Sequence, residues 1–203
     1  MIALFQLTAF IFSVIIHEVS HGVVALLLGD TTAKDAGRLT LNPLRHVELF
    51  GSFLLPLMLY FFSNGTVIFG WAKPVPYNPW RLRNPDRDSG FIALAGPVSN
   101  LVVAIVFGLF IRILGATLNP ANFATLFVLL HLIVFINVLL AIFNLVPLPP
   151  LDGSKVLFAL LPRSYDHVRI FLEKYGIVLL IGFIMVGMNF IQPVIEFIYR
   201  LII

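Results

Sequence analysis

Long apolar stretches separated by short polar ones set the pattern of the chain. Residues 2–28, 50–69, 90–114, 123–146 and 176–192 each carry at most one charged side chain. About 20 apolar residues suffice for a helix to cross the hydrocarbon core. Four of the five stretches therefore predict membrane spans: 2–28, 90–114, 123–146 and 176–192. The stretch 50–69 is interrupted by Pro56 and Asn64-Gly65, and is expected to enter and return as a re-entrant segment. The polar intervals differ in kind. Residues 38–43, RLTLNP, alternate and predict a short strand or hairpin. Residues 72–89 hold four prolines and read as a loop. Residues 153–175 mix polar and apolar positions, as an interfacial helix with a turn does. The expected fold class is membrane, mainly α: a polytopic helical bundle with a small β-hairpin and a re-entrant segment, in one domain over residues 1–203.

Composition agrees with a membrane chain. Of 203 residues, 60% are hydrophobic and 11% charged, against about a quarter charged in ordinary soluble domains. The first stretch has no basic leader and no small-residue cleavage site after it, so it reads as a span rather than a signal peptide. The net charge of +3 reports topology and lipid headgroups rather than nucleic acid. There is no cysteine, so any metal must be held by His, Asp or Glu.

Charge inside the first span is the anomaly. His17, Glu18 and His21 form HEVSH within the apolar run. Ionisable groups at membrane depth are costly, about 2.5–3.5 kcal/mol each on insertion scales. Residues i and i+4 share one helix face, so both imidazoles can reach one divalent cation. Glu18 sits beside that face and can take a proton from a water activated by the metal. A catalytic zinc usually has a third protein ligand. The extended zincin position is Leu27 here, so that ligand lies elsewhere. The candidates at span edges are His131, Asp152 and Glu196. His131 reads more simply as an interhelical hydrogen bond, and Glu196 as an ion pair with Arg200 one turn on. Asp152 follows Pro147, Pro149 and Pro150. These break the fourth stretch and leave irregular backbone, which is tolerated at that depth only where buried or beside a wet cavity.

Three motifs in order, HEVSH, GPVSN and NLVPLPPLDG, together with AGRLTLNPLRHVELFGSFLLPL and FGWAKPVPYNP, resemble the site-2 protease family of intramembrane zinc metalloproteases, in its compact subgroup without PDZ or CBS modules. The resemblance runs nearly end to end. It implies one Zn2+ per chain held by His17, His21 and Asp152, with Glu18 as catalytic base. It also implies that Asn100 and Asn144 are polar residues near the site, contacting substrate or the oxyanion. Family members cleave membrane-spanning substrates, such as regulators and leftover signal peptides.

Topology can be checked without the family. For Asp152 to share a metal with the first span, one stretch between them must not cross, and 50–69 is the broken one. The segments 30–48, 72–89 and 147–175 then share a face and carry 11 of the 13 basic residues. The positive-inside rule puts that face, with the site, toward the cytoplasm of a prokaryotic-type cell. The expected partners are a transmembrane protein or peptide substrate and the lipid bilayer. Prolines at 74, 76 and 79, and at 147, 149 and 150, predict irregular backbone that could pair with an extended substrate as an added strand. The alternatives are a membrane metal-ion transporter and an inactive protein that binds membrane helices.

Overall fold

The computed structural model describes residues 1–48, 54, 58 and 73–203. The segment expected to be re-entrant, 50–69, lies almost wholly outside the described residues. Within them the chain is helical. Helix α1 spans Ile2–Leu27, and a short α2 spans Thr32–Asp35. Then come α3 (Pro85–Thr117), α4 (Ala124–Asn144), α5 (Asp152–Leu160), α6 (Asp166–Gly182) and α7 (Met188–Ile202). Four helical runs are long and apolar enough to cross a membrane: Ile2–Leu27, Pro85–Thr117, Ala121–Asn144 and Asp166–Ile202.

Local chemistry explains the boundaries. Pro85 opens α3, and Asp86 and Asp88 sit in its first turn, where the helix dipole favours acids. The Asp88 carboxylate accepts the Asn84 N–H at 3.0 Å. Pro147, Pro149 and Pro150 lack N–H donors and cannot continue α4. The chain turns there, and Leu151 leads directly into α5.

Two expectations are corrected. No strand occurs among the described residues, so the hairpin at 38–43 is absent. Its backbone is tied by single contacts instead. The His46 ring donates from Nε2 to Thr40 O at 2.7 Å, and Asn42 accepts the Leu44 N–H at 3.1 Å, opening a 3₁₀ turn at Pro43. Four alternating residues without a described partner strand leave these local bonds to decide the conformation. The last span is also longer than expected. The helical run Asp166–Ile202 takes in the interfacial residues 166–175 and the tail beyond Pro193, with a π-helical turn at Phe183–Gly187. The Arg169–Glu173 pair, 3.1 Å apart at i,i+4, supports the polar start of that run.

Contacts between the helices fix their directions. Ser13 and His21 of α1 meet Asn100 and Ile92 of α3, in reversed order. Ser13 and His17 meet Asn137 of α4 and Asp152 beyond it, in the same order. Hence α3 runs antiparallel to α1, and α4 runs parallel to it. The chain between α1 and α3 begins and ends on one face, and Asp152 emerges on that same face. Buried apolar residues of α3, α4 and α7, including Ala104, Val134, Val138 and Ile195, form the core that holds this arrangement.

Candidate metal centre

His17 and His21 lie one turn apart on α1, with ring centroids 4.7 Å apart and planes nearly perpendicular. Each ring is tied on its Nδ1 side to an oxygen that can only accept. His17 Nδ1 is 2.6 Å from Asn100 Oδ1, and His21 Nδ1 is 2.6 Å from Ile92 O. Both Nδ1 atoms therefore carry a hydrogen, and each ring when neutral presents an Nε2 lone pair. The amide of Asn100 cannot be turned round, because its Nδ2 donates to Asn137 Oδ1 at 2.8 Å and to Ser13 O at 3.2 Å.

Both lone pairs point at Asp152. Its Oδ2 lies 2.9 Å from His17 Nε2 and 3.1 Å from His21 Nε2. All three residues are buried, between 6 and 8% exposed. Two lone pairs and an anion brought together repel one another; a cation between them satisfies all three. The donor atoms lie within 4.8 Å of one another. Two imidazoles and one carboxylate form a donor set that divalent cations of the zinc class accept. Tetrahedral ligands at 2.0–2.2 Å would stand about 3.4 Å apart, a few tenths of an ångström wider than here. Gly96 of α3 makes room for the rings: a Cβ there would fall 2.5 Å from His17 Nε2 and 2.6 Å from His21 Cε1.

A layer of polar groups lies behind His17. Asn100 and Asn137 are fully buried. Asn137 Nδ2 donates to Ser13 Oγ and to Ile133 O, each at 2.9 Å. Both N–H groups of Asn100 are thus engaged, and its oxygen holds His17. In this structure both Asn100 donors are taken up within the bundle, and it stands behind His17 on the Nδ1 side. Asn144 is half-buried at the end of α4, and its Nδ2 donates to Leu140 O at 2.9 Å; it joins none of the metal-facing groups. Asn137 and Ser13 did not stand out in the sequence. Asn100 is marked by its place in GPVSN, whereas Asn137 lies in none of the quoted motifs, although it too is an amide in an apolar span.

The remaining candidates lie elsewhere. His131 Nδ1 is 2.7 Å from the Tyr199 hydroxyl, joining α4 to α7 as an interhelical bond. Glu196 accepts from Gln192 Nε2 at 2.9 Å, one turn earlier on its own helix, rather than pairing with Arg200. Glu18 is half-buried, one residue from His17, and its Oε2 accepts the Val75 N–H at 2.8 Å.

Comparison with known proteins points the same way. A sequence model of peptidase family M50 matches residues 110–188, which include the Asp152 turn. "Putative zinc metalloprotease YwhC" of Bacillus subtilis is 37% identical over 179 residues, covering 86% of this chain and 77% of its own length. "Putative zinc metalloprotease Rip2" of Mycolicibacterium smegmatis is 29% identical over 147 residues, 72% of this chain and 53% of its own. The Mycobacterium tuberculosis protein of the same name is 31% identical over 145 residues, 71% of this chain and 52% of its own. The chain thus spans about half the length of the Rip2 proteins. No solved structure matches it significantly. The extent and identity of the match to YwhC show that the chain belongs to peptidase family M50, the site-2 protease family that its three motifs resemble.

Proposed function

We propose that the chain is an intramembrane zinc metalloprotease that hydrolyses peptide bonds in or near transmembrane segments of membrane-protein substrates. The observation that carries this reading is the convergence of His17 Nε2, His21 Nε2 and Asp152 Oδ2 at one face of a helix apolar enough to cross a bilayer. These three residues would hold one zinc ion. When bound, zinc lowers the pKa of its water to about 7 and polarises a carbonyl oxygen. Asn100 and the Ile92 carbonyl keep both Nε2 atoms aimed at the site. Glu18 accepts the proton of the attacking water and can return it to the leaving amine.

A substrate helix hides its amides in i to i−4 bonds, so cleavage needs an extended stretch. Residues 73–78 supply a template for one. The Val75 carbonyl and the Tyr77 N–H make no hydrogen bond among the described residues and can pair with substrate as an added strand. Asn144 keeps one N–H and its oxygen for the same purpose. Beside this segment a cavity of about 640 Å3 opens between Tyr77, Trp80, Lys155 and Phe158, wide enough for side chains that flank the cut. The excess of Lys and Arg in the segments 30–48, 72–89 and 147–175 supports a cytoplasmic site. Regulated intramembrane proteolysis is the process such an activity serves.

The test is purified full-length protein, reconstituted with a membrane-embedded substrate, with Glu18→Gln beside wild type. The expected result is about one zinc per chain in both, and cleavage reduced about 100-fold or more in the variant. Equal cleavage by the two proteins would refute Glu18 as base.

A further inference from the structure

Residues 73–78, Lys-Pro-Val-Pro-Tyr-Asn, cross the face of α1 with few bonds of their own. Pro74, Pro76 and Pro79 confine the residues before them to extended conformations, and Asn78 has φ −115° and ψ 105°. Two charges hold the segment at its ends. At one end Arg38 is 6% exposed and donates from Nη2 to Lys73 O at 2.6 Å and to Pro74 O at 3.4 Å. The Lys73 N–H is taken by His46 O at 2.9 Å. At the other end Asp30 is fully buried, and its Oδ2 accepts the Asn78 N–H at 2.6 Å. Its Oδ1 accepts from the N–H and hydroxyl of Thr32 at 3.0 and 2.5 Å. Burial pushes the Asp30 carboxyl up, but the Thr32 and Asn78 hydrogen bonds and nearby Arg81 outweigh it, so the pKa lies below the ordinary value. Asp30 is thus held as an anion with its acceptors filled.

Between these anchors the segment lies on α1 at Gly22. A Cβ at Gly22 would come within 2.8 Å of Val75 Cγ1 and 2.6 Å of Leu39 Cδ2. That close seat brings the Val75 N–H to Glu18, one turn back on the helix. Oε2 of Glu18 is thereby occupied by a donor from outside α1.

We propose that Asp30 and Arg38 are positioning residues that stretch 73–78 across α1, so that the Val75 N–H fixes the Glu18 carboxylate. The inference rests on the reading of Glu18 as proton acceptor. Neither charge touches the three metal-facing side chains; both reach the backbone of the segment. Arg38 also lies close enough to attract the Glu18 charge directly, so the Asp30 and Val75 variants isolate the backbone route. Arg38 and Asp30 thus serve turnover without serving metal binding.

The experiment uses the full chain in lipid nanodiscs with 15N-valine labelling, as wild type, Arg38→Met, Arg38→Lys, Asp30→Ala and Val75→Pro. Three quantities are read: zinc content, amide exchange at Val75 (except in the proline variant), and kcat and KM on a membrane-embedded substrate. Arg38→Met and Asp30→Ala should speed exchange at Val75 about tenfold or more, as loss of one protecting bond does. They should lower kcat about tenfold, the mark of a misdirected group at the reacting centre, and raise KM as well, because 73–78 is also the proposed substrate template. Zinc should stay at the wild-type level. Arg38→Lys keeps a donor for Lys73 O and should restore most of both readouts. Val75→Pro deletes the N–H with both anchors intact and should show the same kcat loss; an unchanged kcat there overturns the proposal, even if the charge variants do not fold. Unchanged exchange and kcat in Arg38→Met and Asp30→Ala also overturn it, as does zinc loss in parallel with kcat. Arg38-dependent protection of Val75 in a zinc-loaded wild type that cleaves nothing supports the positioning and sinks the protease reading instead.

Discussion

Helix α1 meets polar partners on two sides, and the two are built differently. Behind His17, inside the spans, Ser13, Asn100 and Asn137 bond to one another and to a ligand ring, side chain to side chain across three helices. On the Glu18 side, fixed charges that follow the end of α1 reach the backbone of an irregular segment. The difference follows from solvent. In hydrocarbon no water stands in for a missing partner, so amides must close on each other. Near the headgroups the chain is freed from regular structure, and buried charges supply the acceptors and donors that a sheet would have given. The first side fixes where the metal-facing nitrogens point; the second holds the Glu18 carboxylate, the proton acceptor of the proposed function.

The largest effect should come from the atoms where the two sides meet. Asp152→Asn keeps the shape of the side chain but removes the charge on which both Nε2 atoms converge. Zinc affinity should fall about 100-fold or more and cleavage should drop to background, because the donor set loses its only anion. Zinc titration by competition with a chromogenic chelator measures the first, and product formation on the membrane-embedded substrate the second. Full zinc affinity in this variant would break the assignment of Asp152 as ligand.

A smaller and more telling effect is expected at Asn137, which touches no donor atom. Asn137→Leu leaves one of the two Asn100 Nδ2 hydrogens without an acceptor and Ser13 Oγ without a donor in a dry layer. Asn100 stands one step behind His17, where partners typically contribute 10–100-fold in affinity or activity. Asn137 stands one step further back and acts at the low end of that range, and each orphaned buried group costs about 1–3 kcal/mol. Zinc affinity should therefore fall about tenfold, together with thermal stability. The contrast with the Arg38 variants, in which zinc should stay and turnover should go, is what sharpens the division between the two sides. Equal zinc loss in both would erase it.

How far the site could be read from sequence follows the same division. His17 and His21 were legible because helical periodicity puts i and i+4 on one face, and because charge in an apolar run demands a reason. Asp152 was legible by position, since prolines that break a span must leave backbone at a site able to use it. Asn137 escaped because a single amide in a span has a bland explanation, and only the three-helix geometry shows what it touches. Asp30, Arg38 and Val75 make long-range side-chain-to-backbone bonds, which leave no periodic trace. The hairpin expected at 38–43 failed for a related reason: alternation over four residues is weaker than one ring bonding Thr40 O and one Asn cap. The expected span 176–192 ended just before Pro193, whereas the helix carries that proline inside α7.

The mildest perturbation tests whether intramembrane polarity as such matters for the metal. His131 and Tyr199 form a polar pair between two spans at 2.7 Å, as tight as the contact between His17 and Asn100. They join α4 to α7 and touch none of the metal-facing residues. Tyr199→Phe removes the hydroxyl and little else. Bonds of this kind contribute about 0.6–2 kcal/mol in membranes, because the separated helices find other partners. Unfolding in detergent should shift by about that amount, while zinc affinity and kcat stay at the wild-type level. The paired comparison with Asn137→Leu sets two polar interhelical contacts of α4 side by side, of which only one connects to His17. If Tyr199→Phe lowered zinc affinity as much as Asn137→Leu, the loss would belong to packing of the bundle, and the amide layer would have no special claim on the ligand.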